Sequence, residues 1–518
     1  MLKTLGAQVK EYKKDSILTP IFMILEVVME MIIPLLMASI IDDGVNQGNI
    51  SHIYQIGILM VIAAGFGLFC GIMGGKYGAS ASTGFAKNLR KAMFENIQTF
   101  SFSNIDKFST ASLVTRMTTD VTNLQNSYQM LLRMCIRAPF SLIIAMIMSF
   151  WVNVKLAFIA LGLVLAFIIN RAMKYFKEMF HKYDDLNASV QENVSAIRVV
   201  KAYVREDYEK KRFKKANEAL YYLGKRAERI VSYNMPLMMF TVYSCILGIS
   251  WLGAKMIVQD VLTTGELMML LTYCMNILMS LMMLSMVFVM LSMSVASAER
   301  VTEVLNEKAD IVNPENPVYA VENGSITFSH VSFKYNKDSE KQVLKDINLS
   351  IKEGETIGIL GGTGSSKSSL VNLISRLYDV SEGSLKVGGR DVREDDLETL
   401  RNEVAVVLQK NVLFSGTILD NLRWGNKEAT LEECKEACRL ACADEFIEKM
   451  PMGYETHIEQ GGANVSGGQK QRICSARGSG YGRQDSGGFR QRNSRYHQAD
   501  YCPAYIQYSG CRSHSCSE

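Results

Sequence analysis

The sequence lacks a dominant sign of charge. Its 56 Lys and Arg face 52 Asp and Glu, a net charge of +4, and so near-neutral a chain gives no ground for a nucleic-acid partner. It also lacks cysteine pairing. The 11 Cys are scattered, in none of the spacings that ligate a metal or build a disulfide framework. Cys70, Cys245 and Cys274 fall inside apolar runs, where a thiol serves as a small buried hydrophobe. No short apolar core followed by a small-residue cleavage site opens the chain; its first apolar run is long enough to be an anchor instead.

What is present divides sharply. The chain has 518 residues, enough for two or three domains, and a 48% hydrophobic content that is concentrated in the first three hundred residues. Six apolar stretches there, near 17–41, 54–79, 129–151, 154–175, 235–257 and 265–293, each approach the ~20 residues of a bilayer-spanning helix. Lys3, Lys10, Lys13 and Lys14 precede the first span, whereas Asp42 to His52 contains no Lys or Arg. Lys87, Arg90, Lys91, Lys107 and Arg116 fill the connection after span two, and Arg198, Lys201, Arg205, Lys210, Lys211, Arg212, Lys214 and Lys215 the one after span four. The positive-inside rule then predicts an all-α six-helix transmembrane domain over 1–305 with both ends cytoplasmic. The two basic connections are long and helix-prone. Helices running past the membrane would carry motion to a soluble domain, although a basic solvated face would look the same.

Glu26 and Glu30 stand one helical turn apart in the first span, on one face. Acids inside a membrane face the bundle interior or a wet cavity. Two readings stand: a contact for a cation or basic substrate, or a structural pairing with a neighbouring helix. Arg133 and Arg137, near the cytoplasmic start of span three, are read as snorkelling side chains.

A polar linker with Pro314 and Pro317 occupies 306–322. Past it, Ser325–Phe328, Val331–Tyr335 and Thr356–Leu360 read as strands. The last runs into Gly361, Gly362, Thr363, Gly364, Ser365, Ser366, Lys367, Ser368 and Ser369 and then the helix-forming LVNLISRLY. Strand, glycine-rich loop, Lys-Ser and helix form a phosphate cradle: backbone N–H groups and the helix N-terminus take the phosphates, Lys367 neutralises their charge and Ser368 ligates Mg2+. The pattern asks for glycine immediately before the lysine, where this chain has Ser366. A Cβ there obstructs phosphate or penalises a backbone that only glycine adopts freely, so weakened nucleotide binding is expected. A single base change converts a Gly codon to Ser, so a mutated or misread codon explains the residue equally well.

Asn464–Arg472, NVSGGQKQR, resembles the signature motif of the ABC transporter ATPases. Val404–Leu408 followed by Gln409 and LFSGTILDNL resembles their Q-loop, and Tyr335 stands where the family places an aromatic against adenine. With six spans ahead of the ATPase, 1–477 resembles a half-transporter of the exporter branch. The resemblance implies an α/β P-loop ATPase over 323–477, incomplete at its C-terminal end. It also implies a multi-pass protein of the bacterial plasma membrane with its ATP-binding domain in the cytoplasm. Two such domains would close head to tail on ATP and Mg2+. Tyr335, Gly361–Ser369 and Gln409 would form one site, with Ser368 and Gln409 at the metal, and Ser466, Gly467, Gly468 and Gln469 would complete the partner's. The implied function is ATP-coupled efflux, multidrug efflux included, of hydrophobic or amphipathic substrates; an importer permease is disfavoured because the spans and the ATPase share one chain.

After Arg477 the family requires an apolar strand ending in an acidic pair, and then a switch histidine. Residues 478–518 contain no Leu, Val, Met, Thr or Lys and none of these elements, so no catalytic acid is assigned and disorder is expected. Back-translated into suitable synonymous codons and read one base later, Asn493–Arg512 yields IPDTTKLIIAQRISSIQDA, which resembles the family's switch strand. Tyr481–Phe489 likewise hides TDAKIREAF. A frameshift soon after Arg477, with a deletion, is the reading preferred over a divergent basic tail. The hidden AQR replaces the switch histidine, as in the degenerate subunit of heterodimeric exporters. It therefore implies a different half-transporter as partner, with a homodimer as the second option. The alternative function is a non-hydrolysing membrane remnant or a structural subunit.

Overall fold

A computed structural model describes residues 1–152, 190, 192–193, 196–336, 339–362, 364–406, 408 and 411–479. The expected fourth span, Thr363, Gln409 and the tail past Ser479 lie outside the described residues. Two compact units emerge. One comprises Met1–Ile97 and Ala111–Asn306; the other joins Gln98–Thr110 to the described residues from Glu307 onward.

The first unit is helical. Its long elements are α1 (Lys13–Ser39), α2 (Ile50–Thr99), α4 (Val121–Val152), α5 (Glu206–Ser232), α6 (Asn234–Val258) and α7 (Thr264–Asn306); the short α3 (Phe102–Lys107), between α2 and α4 in sequence, belongs to the second unit. Among the described residues, four helices are long and apolar enough to cross a membrane: Leu2–Val45, Ile50–Thr99, Thr110–Val152 and Thr264–Leu284. They coincide with expected spans one, two, three and six. The expected span at 235–257 falls on α6, whose apolar part, Tyr243–Val258, is a shorter apolar helix. The protein is a multi-pass membrane protein, but the described residues do not establish six spans.

Val27 and Met31 of α1, Ala145 of α4 and Tyr273 and Ile277 of α7 are buried together. Tyr273 donates its hydroxyl to the Met31 carbonyl at 2.8 Å, which lets a polar tip sit in an apolar core without an orphaned donor. Where α4 begins, buried Asp120 accepts from Arg300 Nε at 2.7 Å and Ser297 Oγ at 2.8 Å on α7. A buried carboxylate needs such partners to stay charged.

In the second unit, β1 (Ile326–Phe333), β2 (Leu344–Ile351), β3 (Glu382–Val387) and β4 (Arg390–Asp391) form one antiparallel sheet in the order β2-β1-β3-β4. The sequence suggested two strand runs, Ser325–Phe328 and Val331–Tyr335. They are one strand interrupted by a bulge, since the pairing register slips between Phe328 and Val331. The helices α8 (Lys367–Ile374) and α9 (Leu397–Glu403) cover this sheet around fully buried Leu373, Leu385 and Leu400. A second cluster gathers α10 (Ile418–Arg423), α11 (Leu431–Leu440) and α12 (Gly467–Ser479) with the two-residue strands β5 (Gly416–Thr417) and β6 (His457–Ile458), around Ile418, Cys438, Ile447 and Ile473.

Thr356–Leu360 corrects an expectation. The segment leads into the phosphate loop as foreseen, yet it pairs with no strand among the described residues. Ile357, Ile359 and Leu360 are exposed, Leu360 at 88%. A strand is defined by its ladder partners. The Val404–Leu408 run likewise has no ladder among its described residues.

Candidate functional site

The phosphate loop hangs between the unpaired Thr356–Leu360 segment and α8. Lys367 folds back over it, donating from Nζ to the Gly361 and Gly362 carbonyls at 2.8 Å each and to Ser365 Oγ at 3.1 Å. A Cβ on Gly361 would lie 2.6 Å from Ser365 Oγ, so a larger residue there would have to turn that hydroxyl away from Lys367. Gly364 takes φ +86°, a conformation glycine adopts without a steric penalty. Ser366 caps α8 at φ 64°, ψ 22°, and no side chain caps the helix amides. The left-handed region costs a residue with a Cβ about 1 kcal/mol or more. The physical objection to serine before the lysine is therefore visible in the backbone itself. Ser368 is exposed and Ser369 buried.

Ser369 shares a 2.7 Å hydrogen bond with the Tyr335 hydroxyl. Tyr335 remains 47% exposed and meets Phe333 and Tyr378 edge-on, at centroid distances of 4.8 and 5.1 Å. Tyr378 in turn donates to Asp106 Oδ2 at 2.6 Å and packs against Phe102 at 5.9 Å. Burial first, and then the Asp106 carboxylate, push the Tyr378 phenol well above its ordinary range. Thus α3, cut from the connection between two long helices, is seated against the aromatic cluster that borders the phosphate loop. Asn104 and Lys107 fasten it further, donating to Glu307 at 2.9 and 2.7 Å. Sequence reasoning did not single out Phe102, Asp106 or Tyr378. The available signal was local: Ser101 and Asn104 make a reciprocal capping box, which starts a new helix directly after α2.

The signature turn is built the same way. Gln469 Oε1 accepts from the Ser466 amide at 2.9 Å, and the Gln469 amide donates to Ser466 Oγ at 3.3 Å. A Cβ on Gly467 or Gly468 would meet nothing within 4 Å. Packing within the chain does not demand those glycines, while the amides behind them are occupied locally, Gln469 on Ser466 Oγ and Lys470 on the Ser466 carbonyl at 2.9 Å. Among the described residues no hydrogen bond or ion pair joins Gly361–Ser369 to Ser466–Gln469, and the two motifs belong to different core clusters.

In the helical unit, Arg137 reaches both acids of α1, at 2.6 Å to Glu26 Oε1 and 2.9 Å to Glu30 Oε2. Structural pairing with a neighbouring helix is therefore real. Arg137 is not a snorkelling residue, because carboxylates within reach inside the bundle outweigh an extension toward the interface. Gly71 of α2 makes room for the pair: a Cβ there would press to 3.3 Å from the Glu26 carboxylate.

Comparison with known proteins covers both units. Residues 16–303 match the family described as ABC transporter transmembrane region, and residues 344–479 the family described as ABC transporter. The chain is similar to the uncharacterized ABC transporter ATP-binding protein YfiB of Bacillus subtilis, with 36% identity over 90% of this chain and 82% of that protein. It is similar to the ATP-dependent lipid A-core flippase of Desulfotalea psychrophila, 33% identical over 76% of this chain and 69% of that protein. It is also similar to the putative multidrug export ATP-binding/permease protein YgaD of Bacillus subtilis, 29% identical over 90% and 83% of the respective chains.

Proposed function

Because this chain belongs to the ABC transporter family, with a transmembrane region and an ATP-binding cassette in one polypeptide, we propose that it is one half of an ATP-driven exporter. The observation that carries this reading is a phosphate cradle in the same chain as a membrane bundle: among the described residues Lys367 bonds only to neutral oxygens of its own loop, at the uncapped start of α8. These residues fit a polyphosphate, which would exchange neutral acceptors for anionic ones. Relatives named as a multidrug exporter and a lipid flippase favour a hydrophobic or amphipathic cargo.

Tyr335, Gly361, Gly362, Thr363, Gly364, Ser365, Ser366, Lys367, Ser368, Ser369 and Gln409 would hold ATP, with the exposed Ser368 hydroxyl and Gln409 at Mg2+. Ser466, Gly467, Gly468 and Gln469 would complete the site of a second half-transporter. Bound Mg2+ would supply neutralisation of phosphate charge. Tyr335 would offer its exposed face to the base while Ser369 holds its hydroxyl. The partner is read as a different half-transporter, the membrane as a bacterial plasma membrane and the cassette as cytoplasmic.

This copy is read as impaired. Ser366 sits in a left-handed conformation and residues 478–518 contain no acidic pair, so a non-hydrolysing membrane remnant or a structural subunit of a heterodimer is the second reading. Binding of a fluorescent ATP analogue to the purified chain tests the site: weak binding lost in Lys367→Ala is the expected result, and binding indifferent to that change rejects it. Resequencing codons 355–518 tests the impairment. Reads that restore glycine at 366 and open the shifted frame onto a strand ending in acids would return the chain to the hydrolysing class; reads that match the present sequence leave the structural-subunit reading.

A further inference from the structure

A cavity of about 480 Å³ opens among α1, α2 and α4, and four charged residues line it: Glu26, Glu30, Arg133 and Arg137. Their charges cancel in number but not in place. Arg137 is shared by both carboxylates, so that group of three carries one surplus negative charge. Glu26 Oε2 is buried there with no hydrogen bond. Arg133 stands apart, without an ion pair to any described residue, and its Nε is buried and unpartnered. Its stem is pinned instead by small neighbours: a Cβ on Gly78 would lie 3.2 Å from both Arg133 Cδ and Thr19 Cγ2. The rest of the wall is apolar, with Met29, Ile33, Leu68 and Ile72.

An unpaired arginine and a surplus carboxylate at one membrane-embedded cavity are costly unless something answers both. A simple anion would meet Arg133 but face the two acids. A simple cation would meet the acids and leave Arg133 unanswered. We propose that this cavity binds the headgroup of a zwitterionic amphiphile, its anionic group on the guanidinium end of Arg133 and its ammonium toward Glu30 and Glu26. The first methylenes of its apolar tail would lie along Ile33, Leu68 and Ile72. The volume suits a headgroup with a short length of chain, since small-molecule sites run to about 300–1,000 Å³. The site is independent of the phosphate loop and does not require ATP.

The test is native mass spectrometry of the full chain in detergent with phosphatidylethanolamine, phosphatidylglycerol or free phosphoethanolamine. The expected result is retention of phosphatidylethanolamine over phosphatidylglycerol. Arg133→Gln should weaken it about tenfold, the scale of one lost charge-assisted contact, while Arg133→Lys retains most of it. Glu30→Gln should weaken phosphatidylethanolamine and spare phosphatidylglycerol. Ala64→Phe fills the cavity from an exposed position on α2 without touching a charge, and should abolish binding even if the arginine variant misfolds. Displacement by phosphoethanolamine at equal concentration would support the headgroup chemistry and assign a soluble source in place of a lipid. Equal retention of phosphatidylglycerol, or binding unchanged by Arg133→Gln and Ala64→Phe, overturns the proposal.

Discussion

The cassette unit holds two kinds of structure. Around the signature, helix starts are finished by their own residues: Thr417 with Asp420, Thr430 with Glu433 and Ser466 with Gln469 make reciprocal capping boxes, and Ile418, Ile447 and Ile473 are fully buried behind them. Around the phosphate loop, β1, β2 and β3 are well packed, but the segment that delivers the loop is apolar, exposed and without a ladder among the described residues. The difference teaches which interactions are local. Capping boxes close within four residues. A strand in the middle of a sheet is stable only when chain from elsewhere lies on both sides.

The sharpest way to break this comparison is to truncate one isoleucine in each region. Ile418→Ala should cost about 3 kcal/mol, the range for a fully buried branched side chain, and Ile359→Ala well under about 1 kcal/mol. Trp424, stacked on Phe414 at 4.1 Å, reports the first by fluorescence during chemical denaturation, once Trp151 and Trp251 are replaced by Phe. Equal costs would mean that Ile359 is packed, and the contrast would fail.

Acid supplies the next test. Burial alone would raise the Asp391 carboxyl, but the Arg393 side chain and amide together with the Ser384 hydroxyl outweigh it and hold it down to about 2. A carboxylate held low stabilises while ionised. Its contribution is complete above about pH 4, the unfolded range, and fades as pH falls toward 2. Asp391→Asn should therefore cost about 2 kcal/mol at neutral pH and flatten the acid limb between pH 4 and 2. An unchanged acid limb would show that the hairpin of β3 and β4 does not depend on this charge.

Smaller effects follow at the loop and the caps. Ser366→Gly removes a left-handed serine and should tighten binding of the ATP analogue about tenfold; equal affinity would mean that the loop pays no conformational penalty. Thr430→Ala breaks one capping box and should cost about 1 kcal/mol or less, read as faster amide exchange confined to the first turn of α11. Protection lost across α10 and α12 as well would make that cap a global rather than a local element.

Much of the site was legible because its chemistry is written in neighbouring residues. The spacing placed a helix directly after the glycine-rich loop and another at the signature glycines, and α8 begins at Lys367 and α12 at Gly467. Glu26 and Glu30 were legible as a shared face, but their partner was not, since Arg137 lies 107 and more positions away and its position near a helix end favoured snorkelling. The seating of α3 against Tyr378 was hidden for the same reason: Asp106 and Tyr378 are 272 positions apart. Thr356–Leu360 failed differently. Its composition is that of a buried strand, and composition carries no information on whether the neighbours that would bury it are present.

The length of α2 has a mechanical consequence. Its 50 residues make a rod of about 75 Å at 1.5 Å per residue, of which a bilayer covers about 30 Å. With the apolar stretch at 54–79 in the membrane, the 20 residues 80–99 form an arm of about 30 Å outside the hydrocarbon, and a tilt of only about 10° at the membrane would sweep its far end through roughly 5 Å. The chain turns at that end, through the capped Ser101, into the short helix whose Asp106 holds Tyr378. Gearing of this kind would amplify a sub-ångström adjustment beside Glu26 into a stroke of about one helical turn.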